Sequence, residues 1–373
     1  MKKSLMFLFV LAIIFMVPSF ADITIVKNDD YKLNFYGFLQ LDAVYQSYMM
    51  NSYNAPRYSL PDSITNDDAT TNFSAMNSRF GLKWDGPTVY GDTNIKGCLE
   101  WDLFDASTRN QMKFRTRLAY LELRGKNYSL IAGQHWDIFT AGLPYTLITN
   151  GFYWETGNMG FRRAQLRYTR FWEKGEFAVS LSDPTTNNAI KNGTPLFSAR
   201  YAYKFSNKGY FGISTTYGQE DLKTGTYPNR IDDTVDMWGV SIDAKFPITE
   251  RFFLLGEVTR GQDLKPFLSR AGSFYDSIDT KFKGMNTTAG WLEFLYSGEK
   301  VDFYLGYSRE NLTDENHISN GALEDDDAIF IGLIHKLGKG VSYGAEITKF
   351  NGYYKQAVNT HSTQVLFSMK YVF

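Results

Sequence analysis

Residues 362 to 373 read STQVLFSMKYVF. At period two, Thr363, Val365, Phe367, Met369, Tyr371 and Phe373 fall on one side, and Ser362, Gln364, Leu366, Ser368, Lys370 and Val372 on the other. One register is greasy and the other mostly polar, the period of a β-strand rather than a helix. A strand with this much apolar surface and no polar tail is an exposed edge unless another strand pairs with it. Closing a sheet on itself removes the edge.

The aromatic residues spaced two apart, ending on Phe373, resemble the C-terminal signature of bacterial outer-membrane barrels. That resemblance implies that Phe373 and Tyr371 are read by the barrel-assembly machinery. At the other end, Lys2 and Lys3 precede an apolar run from Leu5 to Val17, then Pro18 and the small-x-small triplet Ser19-Phe20-Ala21. This order predicts a secretory signal peptide over residues 1–21 and a single domain over 22–373. The apolar run, about 13 residues, is short of the roughly 20 that a spanning helix needs.

No second long apolar run follows, yet 17% of residues are aromatic and the mean hydropathy is −0.31, so membrane contact has to come from alternating strands. A net charge of −1 gives no footprint for nucleic acid. The single cysteine, Cys98, excludes an internal disulfide framework and most cysteine metal sites, and reads as a small side chain on a wall. No metal or cofactor motif is present.

Alternation recurs along the chain. Leu33, Phe35, Leu39 and Leu41 oppose Lys32, Asn34, Gln40 and Asp42; Phe80, Leu82 and Trp84 oppose Arg79 and Lys83. Ile95, Leu99 and Trp101 oppose Lys96, Glu100 and Asp102, and Phe114, Leu118 and Tyr120 oppose Lys113, Arg115 and Arg117. Counting onward gives about sixteen segments, an even number. Every second connection is a tight turn, as at 124–127, 173–175, 206–209, 297–300 and 338–340. Most others are long and polar: 49–71, 141–157, 184–195, 220–233, 261–283 and 312–325, with a short one near 105–110. These features predict an all-β fold: a transmembrane antiparallel barrel of about sixteen strands, with short turns on one side and long loops on the other. An eight-stranded soluble barrel is too small for this chain, and a two-sheet soluble fold would not place so many charges in one register. The charge-free register is then the lipid face. Arg162 and Arg170 fall in that register and are expected at opposite rims.

Sixteen strands enclose a lumen too wide for wall side chains to fill, so the inner register sets selectivity. On the returning segments it carries Arg79, Lys83, Arg115, Arg117, Arg163, Arg167, Arg200 and Lys204, a basic ladder over half the wall. Asp42, Asp243, Glu257, Glu293, Asp302 and Glu346 make the other half acidic. Such a ladder favours small anions, since guanidinium forks suit carboxylate and phosphate. The alternative is a wet wall whose charges pair across strands, with Glu100 and Asp102 neutralising part of it. The connection AGLPYTLITNGFYWETGN, from residue 141, has few charges and several aromatics. It reads either as a surface loop or as a loop folded into the lumen. Folded inward, it would place Tyr153, Trp154 and Glu155 at a constriction.

The succession FYGFLQLDAVYQS (35–47), SRFGLKW (78–84), FRTRLAYLELRG (114–125) and AGQHWDIF (132–139) resembles the DcaP-like trimeric porins over the first half of the mature chain. The resemblance implies a homotrimer in the bacterial outer membrane, among its lipid and lipopolysaccharide, that takes up small anionic solutes such as dicarboxylates. Two departures stand out: that family's long N-terminal periplasmic helix is missing, and Leu118 stands where its Arg-rich motif has His.

Three other functions compete with a channel. An outer-membrane lipase would need a nucleophile, a histidine and an orienting group together at the lipid rim. Among His135, His317, His335 and His361, only His335 is expected to face lipid, with no motif beside it. An energised transporter has in its favour only DITIV at 22–26, which faintly resembles a coupling box, and 373 residues cannot build a 22-stranded barrel with a plug. An adhesin or structural barrel, using acidic loops such as 324–327, is the remaining alternative to a diffusion channel.

Overall fold

A computed structural model describes residues 23–373 apart from 29, 64–66, 106–107, 109–110, 185–192, 207 and 225–230. The expected signal peptide lies outside the described residues. The strands are β1 (Ile23–Lys27), β2 (Lys32–Gln46), β3 (Thr70–Ser74), β4 (Arg79–Tyr90), β5 (Thr93–Asp102), β6 (Arg115–Arg124), β7 (Tyr128–Trp136), β8 (Arg162–Trp172), β9 (Gly175–Ser182) and β10 (Leu196–Ser206). They continue as β11 (Gly209–Thr224), β12 (Ile231–Pro247), β13 (Phe252–Gln262), β14 (Ser273–Asp276), β15 (Lys281–Gly284), β16 (Asn286–Ser297), β17 (Val301–Leu312), β18 (Leu323–Gly338), β19 (Val341–Tyr354) and β20 (Thr360–Val372). Helix among the described residues is limited to two 3₁₀ turns, Lys265–Phe267 and Glu315–His317.

Sixteen of these strands form the wall, each antiparallel to the next, and the sheet is a closed barrel. The C-terminal stretch makes the closure. β20 pairs antiparallel with β2 from Phe38↔Val372 to Gln46↔Gln364, and Phe373 and Gly37 exchange two backbone hydrogen bonds of 3.0 Å. The Phe373 ring lies 5.3 Å from Phe35 and 6.4 Å from Phe80, so the seam is also packed. A closed ladder satisfies every strand amide internally, which a hydrocarbon environment demands.

The two registers separate as the alternation predicts. Leu39, Leu41, Ile213, Val240, Leu254, Leu292, Leu305, Ile331 and Phe367 are exposed on the outside, while most of their neighbours in sequence are buried, among them Gln40, Asp42, Ser214, Ser241, Glu293 and Ser368.

Several details depart from the sequence reading. Residues 23–27 add a strand, β1, beside residues 32–35 of β2, just beyond where β20 stops. The second segment is broken: β3 pairs with the far end of β2, and β4 begins only at Arg79. The connection 220–233 is largely strand, because β11 and β12 stay paired out to Thr224 and Ile231. The connection 261–283 carries the first 3₁₀ turn and the β14–β15 hairpin. The acidic run 324–327 is not a solvated loop tip. It opens β18, with Asp325 ion-paired to Arg309 and Asp326 to Arg270, the latter at 2.9 Å.

Candidate functional site

The long connection between β7 and β8, residues 137–161, crosses the inside of the barrel. Its backbone amides are donated to carboxylates of the wall: Gly142 to Glu257 (2.9 Å), Tyr145 to Glu293 (2.7 Å) and Leu147 to Glu346 (2.9 Å). The Tyr145 hydroxyl donates to Asp302 (2.7 Å), and the hydroxyls of Thr146 (2.7 Å) and Tyr153 (2.8 Å) both donate to Glu346. Beneath these bonds lies an apolar seat. Val44, Phe253, Leu295, Tyr304, Phe330, Phe350 and Leu366 from the wall pack against Leu147, Ile148 and Tyr153 from the loop, with the Tyr153 ring stacked 4.2 Å from Phe330.

The crest of this loop is held in unusual backbone geometry. Phe152, Tyr153 and Glu155 have φ of 46°, 57° and 61°, a region that costs a side-chain-bearing residue energy and persists only where neighbours impose it. Gly157, at φ 109°, sits so close to the wall that a Cβ there would lie 2.4 Å from the Gly290 carbonyl oxygen. No other residue type fits.

The acidic half of the wall is therefore not open to the lumen. Asp243, Glu257, Glu293, Asp302 and Glu346 are buried, four of them serving as acceptors for the loop. Asp42 is likewise buried, accepting from Gln40 (2.8 Å) and Asn77 (2.6 Å). The picture of two facing half-walls of bare charge is corrected to a basic half and a covered acidic half.

The ladder is also rearranged. Arg117 and Leu118 together oppose Glu100, a β-bulge that turns the strand and re-aims its side chains. Gln134 donates its side-chain amide to the carbonyls of Thr116 (3.1 Å) and Arg117 (3.0 Å), satisfying the backbone that the bulge leaves unpaired. Beyond the bulge, Tyr120 faces the same side as Cys98, its partner across the ladder, so the expectation that Tyr120 opposes the arginines is overturned. Arg117 is buried, donating to Glu100 (2.8 Å), Asp102 (2.9 Å) and the Asn150 side-chain oxygen of the loop (2.9 Å). Arg115 forks onto Asp102, reaches the same Asn150 oxygen at 2.9 Å, and keeps a 32% exposed side chain. Arg79 lies 3.8 Å from Glu100 and is 19% exposed.

Arg162 is corrected from a lipid-facing rim position. It is buried, stacked 4.8 Å from the Trp136 ring, which the Arg117 guanidinium approaches at 5.9 Å. At the end of β8 the chain bends into the loop root, and strand parity no longer dictates direction. Arg170, at the other end, is exposed. Arg163 does not line an open lumen: it donates to Asp137 (2.8 Å), the Asp183 carbonyl (3.0 Å) and the Pro266 carbonyl (2.9 Å), tying the loop root to the 263–272 connection. Arg200 forks onto Asp243 (2.9 Å for one arm) across Gly212, where a Cβ would lie 2.3 Å from the guanidinium. Both are buried ion pairs, expensive to break from one side. Arg167, beside His135, Tyr120 and Glu122, borders a cavity of about 300 Å³. Lys83 lies over the Tyr36 ring at 3.9 Å, and Lys204 is exposed near the short-turn end of β10.

Tyr153 and Trp154 are buried anchors rather than constriction walls, and Glu155 is paired with Arg57. The residue that the loop presents to the arginines is Asn150, which the sequence reading missed. Asn150 also donates to Asn77 (2.6 Å), linking loop, β6 and β2 through Asp42.

A second carboxylate contact lies at the long-loop end. Asp263 follows β13 directly, is buried against Glu220, and has one carboxylate oxygen with no partner. Burial first, and the Glu220 charge second, push its carboxyl up to about 8, opposed by Lys265. The folded chain then holds a proton that the unfolded chain has lost, so stability falls as pH rises from the ordinary carboxylate range through 8. Hydrogen-exchange protection factors over 263–285 should be lower at pH 9 than at pH 6, and Glu220→Gln should flatten that difference. Equal protection at both pH values in the native protein would refute the assignment.

No protein-family model matches this chain, and no curated protein matches it in sequence. Solved structures do. The outer-membrane channel DcaP of Acinetobacter baumannii superposes with a TM-score of 0.78 at 19% identity, covering 96% of this chain and 100% of that one. The fold is that of the outer-membrane porins. An anion-selective porin from Comamonas acidovorans (TM-score 0.60, 13% identity, 92% and 100% covered) and Salmonella typhi OmpF in complex with daunomycin (0.61, 15%, 93% and 99%) share it.

Proposed function

We propose that the protein is an outer-membrane porin, a water-filled channel for passive diffusion of small hydrophilic solutes that prefers anions such as dicarboxylates. The observation that carries this reading is the loop's choice of partners. By taking Glu257, Glu293, Asp302 and Glu346 as acceptors, it withdraws the acidic half of the wall. Arg79, Arg115, Arg117 and Arg162 then stand against only Glu100 and Asp102. A guanidinium that already shares its carboxylate can exchange part of that pairing for a passing anion, binding well enough to admit it and weakly enough to release it.

The porin fold and the resemblance of 35–139 support an outer-membrane location, a homotrimer and a non-enzymatic, cofactor-free role. One of the Vibrio cholerae OmpT structures with this fold is described as a trimer form. The assembly role of Phe373 and Tyr371 and contact with lipopolysaccharide belong to the same reading. Against the adhesin alternative, three of the four 324–327 acids are engaged within the fold, Asp325 by Arg309, Asp326 by Arg270, and Asp327 by Asn351 and Tyr353.

The test is electrical. In a planar bilayer under a salt gradient, the reversal potential should report anion preference, and Arg79→Ala with Arg115→Ala should lower the anion-to-cation permeability ratio. The loss should shrink at high salt, where screening shortens to about 3 Å at 1 M. No conductance at all would favour the adhesin, and a native preference for cations would reject the anion reading.

A further inference from the structure

Outside the lumen, one feature of the barrel surface is left unused by the channel. On the outer face of β13, β16 and β17 lies a groove of about 660 Å³. Its floor is bare backbone at Gly290, where β13 and β16 come so close that a Cβ would lie 2.7 Å from the Glu257 carbonyl oxygen. Its walls are Val258, Leu292 and Tyr307, all exposed.

Two arginines stand at the long-loop end of the groove, both in the outward register. Arg309 is ion-paired with Asp325 yet 51% exposed. Arg260 is exposed and donates one arm to the Thr288 hydroxyl (2.6 Å). No carboxylate among the described residues pairs with it. An uncompensated guanidinium in the lipid-facing register is tolerated only at the level of the headgroups, and there its fork matches a phosphate.

We propose that this groove holds one phosphorylated lipid of the outer leaflet, its acyl chain along Gly290 and its phosphate on Arg260. The proposal rests on the reading of the barrel as membrane-spanning and is independent of what passes through the lumen. Charge complementarity selects this occupant over a neutral lipid: an apolar channel ends on a cation whose remaining donors are unmet.

Native mass spectrometry of the detergent-extracted protein, titrated with a diacyl lipid bearing a phosphomonoester headgroup, tests it. One such lipid per chain should be retained about tenfold more tightly than the same diacylglycerol without phosphate, the discrimination expected of a charge-assisted contact. Arg260→Gln should remove that preference. Val258→Trp, which fills the groove without touching the guanidinium, should weaken retention of both lipids. Arg170→Gln, at the other end of the barrel, should change nothing. Lipid retention by Arg260→Gln equal to that of the native protein would overturn the proposal, as would full displacement by inorganic phosphate. So would dissociation of an oligomer by Val258→Trp with lipid retention intact, which would make the groove a contact between copies. Conductance should be unaffected in all three variants, so failure of lipid binding with conductance intact bears on this site and not on the pore.

Discussion

Replacing Glu346 by alanine should raise single-channel conductance severalfold and move selectivity toward cations. Glu346 accepts from the Leu147 amide and from the hydroxyls of Thr146, Tyr153, Tyr304 and Thr348. Removing it leaves the buried Tyr304 phenol without its acceptor and leaves the Leu147 amide and the Tyr153 phenol only longer contacts of 3.2 Å, to the Tyr304 hydroxyl and to Thr348; an unmet buried group costs about 1–3 kcal/mol. The strained φ at Phe152, Tyr153 and Glu155 adds about 1–3 kcal/mol apiece that is released once the crest lets go. Together these are comparable with the apolar packing of Leu147, Ile148 and Tyr153, at about 1.5–3 kcal/mol for each fully buried side chain, so the loop loses the margin that seats it. An unseated loop both widens the path and uncovers Glu257, Glu293 and Asp302, so the two effects should appear together. Wider conductance with unchanged selectivity would mean that the covered carboxylates do not face the path; unchanged conductance would mean that the loop does not limit it.

Arg163→Ala should destabilise the barrel by about 3–5 kcal/mol, the usual consequence of deleting one partner of a buried ion pair. Asp137 would keep its burial and lose the Nε–H donated to both its oxygens, and the Asp183 and Pro266 carbonyls would lose their donors. The guanidinium also lies 4.4 Å from the Phe267 ring, packing that lysine would not restore. The folded band on unheated detergent gels should convert to the unfolded one at a clearly lower temperature than in the native protein. Arg115→Ala should shift that temperature less, because Asp102 still accepts from Arg117 and the Arg115 side chain is partly solvated. Equal shifts for the two would contradict the division of the ladder into a structural and a reachable part.

The barrel is legible in the sequence because a membrane wall has only two environments, and a period of two sorts residues between them. The sixteen alternating segments, the closing β2–β20 pair and the lipid face all follow from that one rule. The site is legible only in part, because the rule assumes that inward means wet. Along Ala328-Ile329-Phe330-Ile331, and again along Phe252-Phe253-Leu254-Leu255, both registers are apolar, a local sign that something packs inside; Phe330 and Phe253 are part of the seat that holds Tyr153. The fate of Glu293 and Glu346 depends on backbone amides arriving from a loop about 150 and 200 residues away, and no local pattern encodes that. Arg162 escapes the rule because parity stops applying where a strand bends into a loop. Asn150 carries no periodic signal at all.

The bulge at Arg117 also sets what kind of change the gene can absorb. Up to Arg115 the lumen side of β6 falls on odd positions, and after the bulge Tyr120, Glu122 and Arg124 put it on even ones. Losing one residue at 116 or 117 would remove the bulge and return the strand to plain alternation, with Tyr120, Glu122 and Arg124 still on the lumen side, whereas losing one residue beyond it, between Leu118 and Arg124, would swing the side chains on one side of the gap to the wrong face. Insertions of several residues in the long connections leave every parity untouched. In this strand, then, the bulge is a place where the ladder can shed a residue and keep its faces, at the expense of the arginine it re-aims, while a single deletion between Leu118 and Arg124 is more damaging than a large insertion in a long connection.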